Sequence, residues 1–333
     1  MEGLNVGWVL ETKSHFTSSD LSKMLITPRK VCTLLFTGGF VFILCYTGFV
    51  ALQHFPNYPQ PTILNPKDSV ALGKQYYFAS ISLEEIDRLS EEHASKVTPL
   101  HLDYPSGEKV ILLVSYRNRT FDLLVFLLHM TSYMRTINIP YEILITEQAG
   151  KARFNRAKLF NVALREIFDA KPGDRLYGYA CFAFHDVDKI PISIKTPYHC
   201  LFRPHQLLRY VHHKKGGWRM HRGCLGGITL FRREHLEAMN GASNSFEGWG
   251  GEDDDLYKRV RYIHHRPQRA RFDEGQFYEE NGDSHVRDKS SERYRILAKS
   301  SPQQMLRDGL QQVKYQLIRR KDYSSFVWML VMV

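Results

Sequence analysis

Four consecutive acidic residues end a glycine-rich segment in the second half of the chain. Residues 248–255 read GWGGEDDD, and Trp249 is the one large apolar side chain among them. A carboxylate in such a segment can act as a general base that takes a proton from a hydroxyl group. Flexible loops that carry an aromatic side chain often close over a bound substrate. The alternative is a plain helix N-terminus, where the helix dipole favours acidic residues.

A second acidic motif, Asp186-Val187-Asp188, follows the apolar residues 179–184 after one histidine. Two carboxylates two residues apart can hold a hard divalent cation. Such a cation can bridge a diphosphate and offset the charge that develops as a nucleotide departs. A solvated turn after a strand is the alternative interpretation of this short motif.

Alternating strands and helices are expected to position these groups. Apolar runs predict strands at 109–115, 141–146 and 179–184, and helical periodicity predicts helices at 121–134 and 155–168. This order predicts an α/β fold with a mainly parallel central sheet covered on both faces. Ligands of such sheets bind at the carboxyl ends of the strands. Polar clusters follow the strands there, at 117–119, 154–156 and 185–188.

Three arginines in these clusters suit an anionic ligand. Arg117, Arg119 and Arg156 could hold a diphosphate and uridine through charge-assisted hydrogen bonds, although each one alone is also typical of a protein surface. The net charge is +10, which fits acidic small molecules, an anionic membrane or nucleic acid. The basic residues are dispersed and show no zinc-finger or RNA-binding signature, so nucleic-acid binding is not expected.

The chain resembles the beta-1,4-galactosyltransferase family over roughly residues 110–315. The matching segments are, in chain order, YRNR from Tyr116, FNRAKL from Phe154, DVD from Asp186, Gly226-Gly227, Asn240-Gly241, GWGGEDDD from Gly248, and DGL from Asp308. The resemblance implies a GT-A type domain of the glycosyltransferase family 7 type, with Mn²⁺ as the usual metal. It implies inverting transfer of galactose from UDP-galactose to the 4-hydroxyl of an acceptor sugar, by family default a terminal N-acetylglucosamine on glycoproteins or glycolipids.

The resemblance also implies a role for each matched residue. Asp253 would be the catalytic base, Asp188 and His285 would bind the metal, and Cys181 and Cys200 would form a disulfide. The donor would contact Arg117, Arg119, Phe154, Arg156, Asp186, Val187 and Trp249. The acceptor side would comprise Glu252, Asp254 and Cys224.

Several positions depart from the family pattern. Lys189 stands where a leucine is common, and Glu247 stands where an aromatic residue is usual. Gly282 replaces the methionine that is a metal ligand in many members, and Asp283 is a candidate substitute, so the third metal ligand is open. Asn118 begins a glycosylation sequon inside the expected donor site, where we do not expect modification.

Cys224 leaves the donor sugar open. The family's galactosyltransferases have tyrosine at this position, and a smaller aliphatic residue accompanies transfer of N-acetylgalactosamine. Cysteine is small enough for both donors, so a UDP-GalNAc-dependent beta-1,4-N-acetylgalactosaminyltransferase is the alternative activity. An inactive, lectin-like relative that binds sugar without turnover is a further alternative. Gly251 replaces the arginine of the branch that acts on xylose.

An uncharged segment precedes the predicted domain. Residues 31–52 contain no Asp, Glu, Lys or Arg, and a helix of that length spans roughly 33 Å, enough for a bilayer core of about 30 Å. Lys23, Arg29 and Lys30 precede it, which places the N-terminus in the cytosol. We therefore expect a cytosolic tail at 1–30, a transmembrane signal-anchor helix at 31–52, a luminal stem at 53–100 and a catalytic domain at 101–333. Such a chain would be a single-pass type II Golgi membrane protein; a cleaved signal peptide or buried helix is the alternative.

Overall fold

The computed structural model describes residues 65–77, 81–100, 108–280, 288–289 and 291–333. Within these ranges no helix combines the length and the apolar character needed to cross a membrane. The predicted span at 31–52 lies outside the described residues, as does the predicted tail at 1–30.

Eight α-helices and a short 3₁₀ helix are formed by the described residues. The helices are α1 Pro66–Tyr76, α2 Leu83–Ser95, α3 Thr120–Thr136, α4 Arg156–Asp169, α5 Arg233–Ala238, α6 Glu252–Tyr262, α7 Arg293–Lys299 and α8 Pro302–Arg307, with the 3₁₀ helix at Leu310–Gln312. The predicted helices at 121–134 and 155–168 are confirmed as α3 and α4. Asn155 caps α4, because its side-chain oxygen accepts a hydrogen bond from the Lys158 backbone nitrogen at 2.9 Å.

The strands form two sheets. They are β1 Val110–Tyr116, β2 Tyr141–Gln148, β3 Cys181–His185, β4 Ile190–Pro191, β5 His205–Gln206, β6 Tyr210–His213, β7 Gly216–Arg219, β8 Ile228–Arg232, β9 Gln268–Arg269, β10 Gln276–Tyr278, β11 Gln316–Asp322 and β12 Val327–Met332. The larger sheet has the order β11-β12-β2-β1-β3-β8-β5-β9, and the smaller one has the order β4-β10-β6-β7.

The larger sheet is mixed rather than mainly parallel. Its centre, β12-β2-β1-β3, is parallel, whereas β11 joins β12 and β8 joins β3 in antiparallel register. The antiparallel strands come from late segments that the alternating pattern did not cover. Every residue of β1 is buried, which is typical of a parallel strand covered on both faces.

Side chains of β1 alternate between two hydrophobic cores. Leu112 and Val114 join the core that contains α3, while Ile111 and Leu113 join the core that contains α4. This period of two is that of an extended strand, and it places one helix on each face of the sheet. The loops after β1, β2 and β3 therefore meet at one edge, between the two helical layers.

Two N-terminal helices extend the folded unit beyond the boundary expected at residue 101. In α1, Val70 is buried, and in α2, Ile86 and Leu89 are buried, all in the same core as α3. The hydroxyl group of Ser69 also lies 2.9 Å from the Nδ1 atom of His129 on α3. The parts of the predicted stem that form α1 and α2 are therefore packed structure, because their apolar faces are covered by α3.

A disulfide joins β3 to a later loop, and the last strand lies within the larger sheet. Cys181, at the start of β3, is bonded to Cys200, as the family resemblance implies. Cys224 is a buried free thiol. The apolar C-terminal run forms β12, which pairs with β2 in the centre of the sheet.

Candidate active site

The carboxyl ends of the central parallel strands carry the predicted donor residues. Arg117 and Arg119 follow β1, and Arg156 begins α4 after the β2 loop. Asp186 and Asp188 follow β3. Because β1 lies between β2 and β3, these three loops converge although they are far apart in the sequence. The structure thus brings together the clusters that the strand pattern predicted at one sheet edge.

One cavity of about 720 Å³ joins these loops to the acidic start of α6. Of the residues predicted for the metal, donor or acceptor, the cavity is lined by Arg117, Arg119, Phe154, Arg156, Asp186, Val187, Asp188, Cys224, Trp249, Glu252, Asp253 and Asp254. A cavity of this size falls in the range of small-molecule sites. His285, the other predicted metal ligand, lies outside the described residues, as do Gly282 and Asp283.

Arg156 links the two acidic motifs. Its Nε atom donates a hydrogen bond to Asp186 Oδ1 at 2.7 Å, and its Nη1 atom donates to Asp253 Oδ1 at 2.7 Å. The guanidinium group also lies over the ring of Phe160, 4.8 Å from its centroid. Arg156 therefore holds the end of β3 and the first turn of α6 against each other, across a separation of 97 residues in the second case.

A pair of glycines lets Asp253 approach the sheet. A Cβ atom at Gly226 would lie 2.4 Å from Asp253 Oδ2, and Gly227 has a φ of +74° with Leu208 packed against it. The backbone nitrogen of Leu225 donates to the Asp253 carbonyl oxygen at 3.1 Å. Side chains at both glycine positions would be excluded, which explains why the sequence has Gly226-Gly227 here.

Burial and neighbouring charges raise the pKa values of two acids at the start of α6. Burial, and then the charge of Asp253, raise the pKa of Glu252 to about 8. Burial also raises the pKa of Asp253, although the guanidinium of Arg156 acts in the opposite direction. A carboxylate with a raised pKa has more affinity for a proton, as a general base near neutral pH requires.

Asp188 is paired with two cationic groups. Arg119 Nη2 donates to Asp188 Oδ2 at 2.8 Å, and Lys189 Nζ donates to Asp188 Oδ1 at 2.7 Å. Lys189 Nζ also lies 3.1 Å from Glu279 Oε2. Burial opposes ionisation of Asp188, but the charges of Lys189 and Arg119 outweigh it and hold its pKa well below the usual range. Burial would lower the pKa of Lys189, and the acids around it instead raise it to about 12.

The loop that carries Trp249 is held from two sides. The backbone nitrogen of Gly248 donates to the Phe154 carbonyl at 2.8 Å, and that of Trp249 donates to the Asp288 carbonyl at 2.7 Å. Arg153 in turn donates from Nη2 to Asp288 Oδ1 at 2.6 Å. The indole is 43 % exposed, so the loop presents an aromatic surface at the cavity wall.

A second group of side chains that could ligate a metal lies among the residues predicted for the acceptor. Ligand atoms of His221, Cys224 and Asp254 all lie within 4.8 Å of one another. His221 Nε2 is 3.7 Å from Asp254 Oδ1. Because this set includes a thiol and an imidazole, it is softer than the all-carboxylate Asp186 and Asp188 motif.

The sequence alone did not identify several residues of the cavity. Lys189 and Glu279 line it beside Asp188, and Trp218 and Arg293 line it beside the acceptor and loop residues. Lys189 was visible only as a departure from the family pattern. Nothing in the sequence indicated that Glu279 belongs to the site. Its contact with Lys189 joins positions that are 90 residues apart and depends on the pairing of β10 with β4.

Comparison with known proteins identifies the class and the family. The fold resembles that of the catalytic domain of Drosophila beta1,4-galactosyltransferase 7 in complex with xylobiose, with a TM-score of 0.58 and 28% identity, over 68% of this chain and 94% of that one. A mutant of that protein in complex with manganese, UDP-Gal and xylobiose matches with a TM-score of 0.57 and 26% identity, over the same shares. The chain therefore has a GT-A-like glycosyltransferase fold.

Family models and curated relatives agree with the structural match. Residues 64–201 match the model of the N-terminal region of glycosyl transferase group 7, and residues 209–282 match a model described as the N-terminal domain of galactosyltransferase. The chain belongs to glycosyltransferase group 7, the beta-1,4-galactosyltransferase family.

Two curated relatives show how far the similarity extends. Mouse beta-1,4-galactosyltransferase 4 is 35% identical over 220 residues, which cover 63% of this chain and 59% of the relative. Bovine beta-1,4-galactosyltransferase 1 is 30% identical over 236 residues, which cover 69% and 55% respectively. The chain thus matches between half and two thirds of the length of these relatives.

Glu252 provides a test of the electrostatics of the cavity. Its pKa of about 8 in the folded chain exceeds the value of about 4.3 expected in an unfolded chain. The folded state therefore gains stability from the bound proton at low pH, and that gain is lost as the pH rises from about 4.3 to 8. We expect the unfolding free energy of the wild type, relative to Glu252→Gln, to fall between pH 5 and pH 9.

Chemical denaturation of both proteins at pH 5, 7 and 9 measures this difference. Glu247→Gln, at an exposed position five residues earlier, is the matched control and should follow the wild type. A difference between Glu252→Gln and the wild type that does not change with pH would contradict the raised pKa.

Proposed function

We propose that this protein is a metal-dependent glycosyltransferase that moves galactose from UDP-galactose to the 4-hydroxyl of an acceptor sugar, with inversion at the anomeric carbon. The observation that carries the proposal is the shared cavity. It brings the carboxylates of Asp186 and Asp188 to the same space as Asp253, and Arg156 connects the two groups. Homologues and structural relatives with galactosyltransferase names support the same reaction.

The donor side of the cavity is suited to a uridine diphosphate. Arg117 stacks on Phe154, with its guanidinium carbon 5.3 Å from the ring centroid, which forms a cationic and aromatic wall for a base. Arg119 and Arg156 supply guanidinium groups beside Asp188 and Asp186, in positions where a diphosphate would receive charge-assisted hydrogen bonds. Their present carboxylate partners keep these buried charges compensated.

The residues at the end of β3 fit a divalent cation. Asp186 and Asp188 offer hard carboxylate oxygens to the cavity, and such ligands suit Mn²⁺. We propose that Asp188 binds it, with His285 as a second ligand and Gly282 or Asp283 near the third position. When bound, the metal would stabilise negative charge on the departing UDP. One structural relative is described with manganese and UDP-Gal.

Asp253 is the proposed catalytic base. Its Oδ1 atom accepts from Arg156, which orients the carboxylate toward the cavity. The carboxylate would take the proton of the acceptor hydroxyl as that oxygen attacks the anomeric carbon and the bond to the UDP oxygen breaks. Glu252 and Asp254 flank this group at the start of α6 and are proposed to bind hydroxyl groups of the acceptor. Trp249 is proposed to cover the donor.

The donor sugar is proposed to be galactose, with N-acetylgalactosamine as the second candidate. Cys224 lies in the cavity wall near Asp253, and its small side chain leaves room for an N-acetyl group. The acceptor is proposed to be a terminal N-acetylglucosamine. A structural relative described with xylobiose makes a xyloside the second acceptor to test.

The cellular location is proposed from the sequence and from the disulfide. An uncharged stretch at 31–52 with basic residues on its N-terminal side supports a single-pass type II Golgi protein with a luminal catalytic domain. The Cys181–Cys200 bond is compatible with an oxidising lumen. Protease treatment of sealed microsomes should remove only the N-terminal tail; digestion of the folded domain would contradict this topology.

The base assignment is tested by Asp253→Asn. This variant keeps the shape of the side chain but cannot accept the proton, so we expect kcat for galactose transfer to fall by roughly 10²–10⁴-fold. UDP binding, measured by calorimetry with Mn²⁺ present, should be retained. Asp169→Asn, at the exposed end of α4, is the control and should keep wild-type turnover. Full activity of Asp253→Asn would exclude the carboxylate as the base.

The donor assignment is tested by turnover of UDP-galactose and UDP-GalNAc with an N-acetylglucosaminide and a xyloside as acceptors. We expect the wild type to use UDP-galactose and to accept some UDP-GalNAc. Cys224→Tyr should lose GalNAc transfer, because the larger ring fills the space beside C2 of the donor, while Cys224→Ala should keep both. Exclusive use of UDP-GalNAc by the wild type would contradict the first choice of donor.

A further inference from the structure

A buried lysine adjoins the proposed metal ligand. Lys189 directly follows Asp188 and is 6 % exposed. Its Nζ atom bridges two carboxylates, at 2.7 Å from Asp188 Oδ1 and 3.1 Å from Glu279 Oε2. Glu279 is also buried, at 4 % exposure. These three groups form a buried carboxylate–ammonium–carboxylate arrangement at the wall of the cavity.

Both oxygens of Asp188 therefore have a cationic partner. Lys189 occupies Oδ1, and Arg119 Nη2 donates to Oδ2 at 2.8 Å. Arg119 has a second carboxylate partner, because its Nε atom donates to Asp122 Oδ2 at 2.8 Å. A divalent cation that binds Asp188 must share or displace one of these partners. Neither partner would be left uncompensated, since Glu279 remains for Lys189 and Asp122 remains for Arg119.

An apolar residue at position 189 would place no cationic group against Asp188. A buried ammonium group is costly unless it is paired, so packing alone does not explain why a lysine occupies this turn. A leucine would leave Asp188 with Arg119 alone and would place no positive charge beside the cation. The lysine is thus a feature of this chain that changes the charge of the metal site by one unit.

We propose that the Lys189 ammonium group competes with the divalent cation for Asp188, and that it weakens metal binding in this chain. The inference rests on the proposed function only in taking Asp188 as a metal ligand. Two effects of the ammonium group would weaken metal binding. The ammonium group occupies one lone-pair direction of the carboxylate, and its charge repels a cation at that position. Glu279 acts as the alternative partner that receives the ammonium group when a metal binds.

The test compares the Mn²⁺ affinity of the purified full chain with that of Lys189→Met, which has an unbranched apolar side chain. Loss of the electron paramagnetic resonance signal of free Mn²⁺, without nucleotide or acceptor, reports binding directly. We expect Lys189→Met to bind Mn²⁺ about 10- to 100-fold more tightly, which is the usual size of effects from residues next to a metal ligand. Asp188→Asn should lose this binding.

A second variant guards against misfolding caused by an unpaired acid. Lys189→Met with Glu279→Gln removes both members of the pair, so no buried charge is left without a partner. It should show the same gain in Mn²⁺ affinity, with a thermal unfolding midpoint close to that of the wild type. Unchanged or weaker Mn²⁺ binding in both variants would overturn the inference.

The affinity measurement separates this inference from the proposed transfer reaction. It requires no turnover, so a chain that binds Mn²⁺ more tightly without Lys189 but transfers no sugar would support the inference and contradict the proposed function. A chain that transfers galactose but whose Lys189 variants bind Mn²⁺ no better would contradict the inference alone.

Discussion

The double ion pair of Arg156 is the constraint on which the candidate site depends. This guanidinium group contacts Asp186 beyond β3 and Asp253 at the start of α6, both at hydrogen-bonding distance. The Arg156 side chain is 16 % exposed and its two carboxylate partners are 25 % and 26 % exposed, so loss of either partner would leave a partly buried charge uncompensated. The end of β3, where we propose that the nucleotide binds, is thereby connected to the start of α6, where we propose that the acceptor hydroxyl binds.

The charged side chains around Arg156 would change partners when a diphosphate binds. Arg119, Arg156 and Lys189 are each paired with carboxylates in the cavity wall, so the site carries its own counter-ions before an anion enters. An incoming diphosphate would offer these cations stronger partners, and release of Asp253 from Arg156 would free the base for the acceptor. The glycine pair at 226–227 makes room for Asp253 in this arrangement, since a side chain at Gly226 would collide with Asp253.

The sequence predicted the elements that have strong local patterns. Continuous apolar runs predicted β1, β2 and β3 to within two residues at each end, and the alternation of strands with helices placed Arg117, Arg156 and Asp186 at one edge of a sheet. The sequence did not show which group each arginine binds, because the ion pairs join positions tens of residues apart. Three of the four acids in 252–255 line the cavity, and the family resemblance, rather than spacing, singled out Asp253 among them as the expected base.

Two features needed tertiary structure. The helices α1 and α2 carry ordinary amphipathic sequences after a proline-rich stretch, and only their burial against α3 shows that they belong to the folded unit. The mixed character of the sheet likewise depends on β8, which pairs with β3 across a long connection, and on β11, which forms a hairpin with β12. Lys189 is the converse case: its identity was visible in the sequence, but its significance required the position of Glu279.

A crystal structure of the chain with UDP and Mn²⁺ tests most directly whether one cavity serves both halves of the reaction. The account predicts that the diphosphate lies between the Asp186–Asp188 turn and the first turn of α6, with the uracil ring beside Arg117 and Phe154 and with the Asp253 carboxylate facing the position of the donor sugar. A nucleotide bound outside this cavity, or an Asp253 side chain turned away from the bound diphosphate, would contradict it.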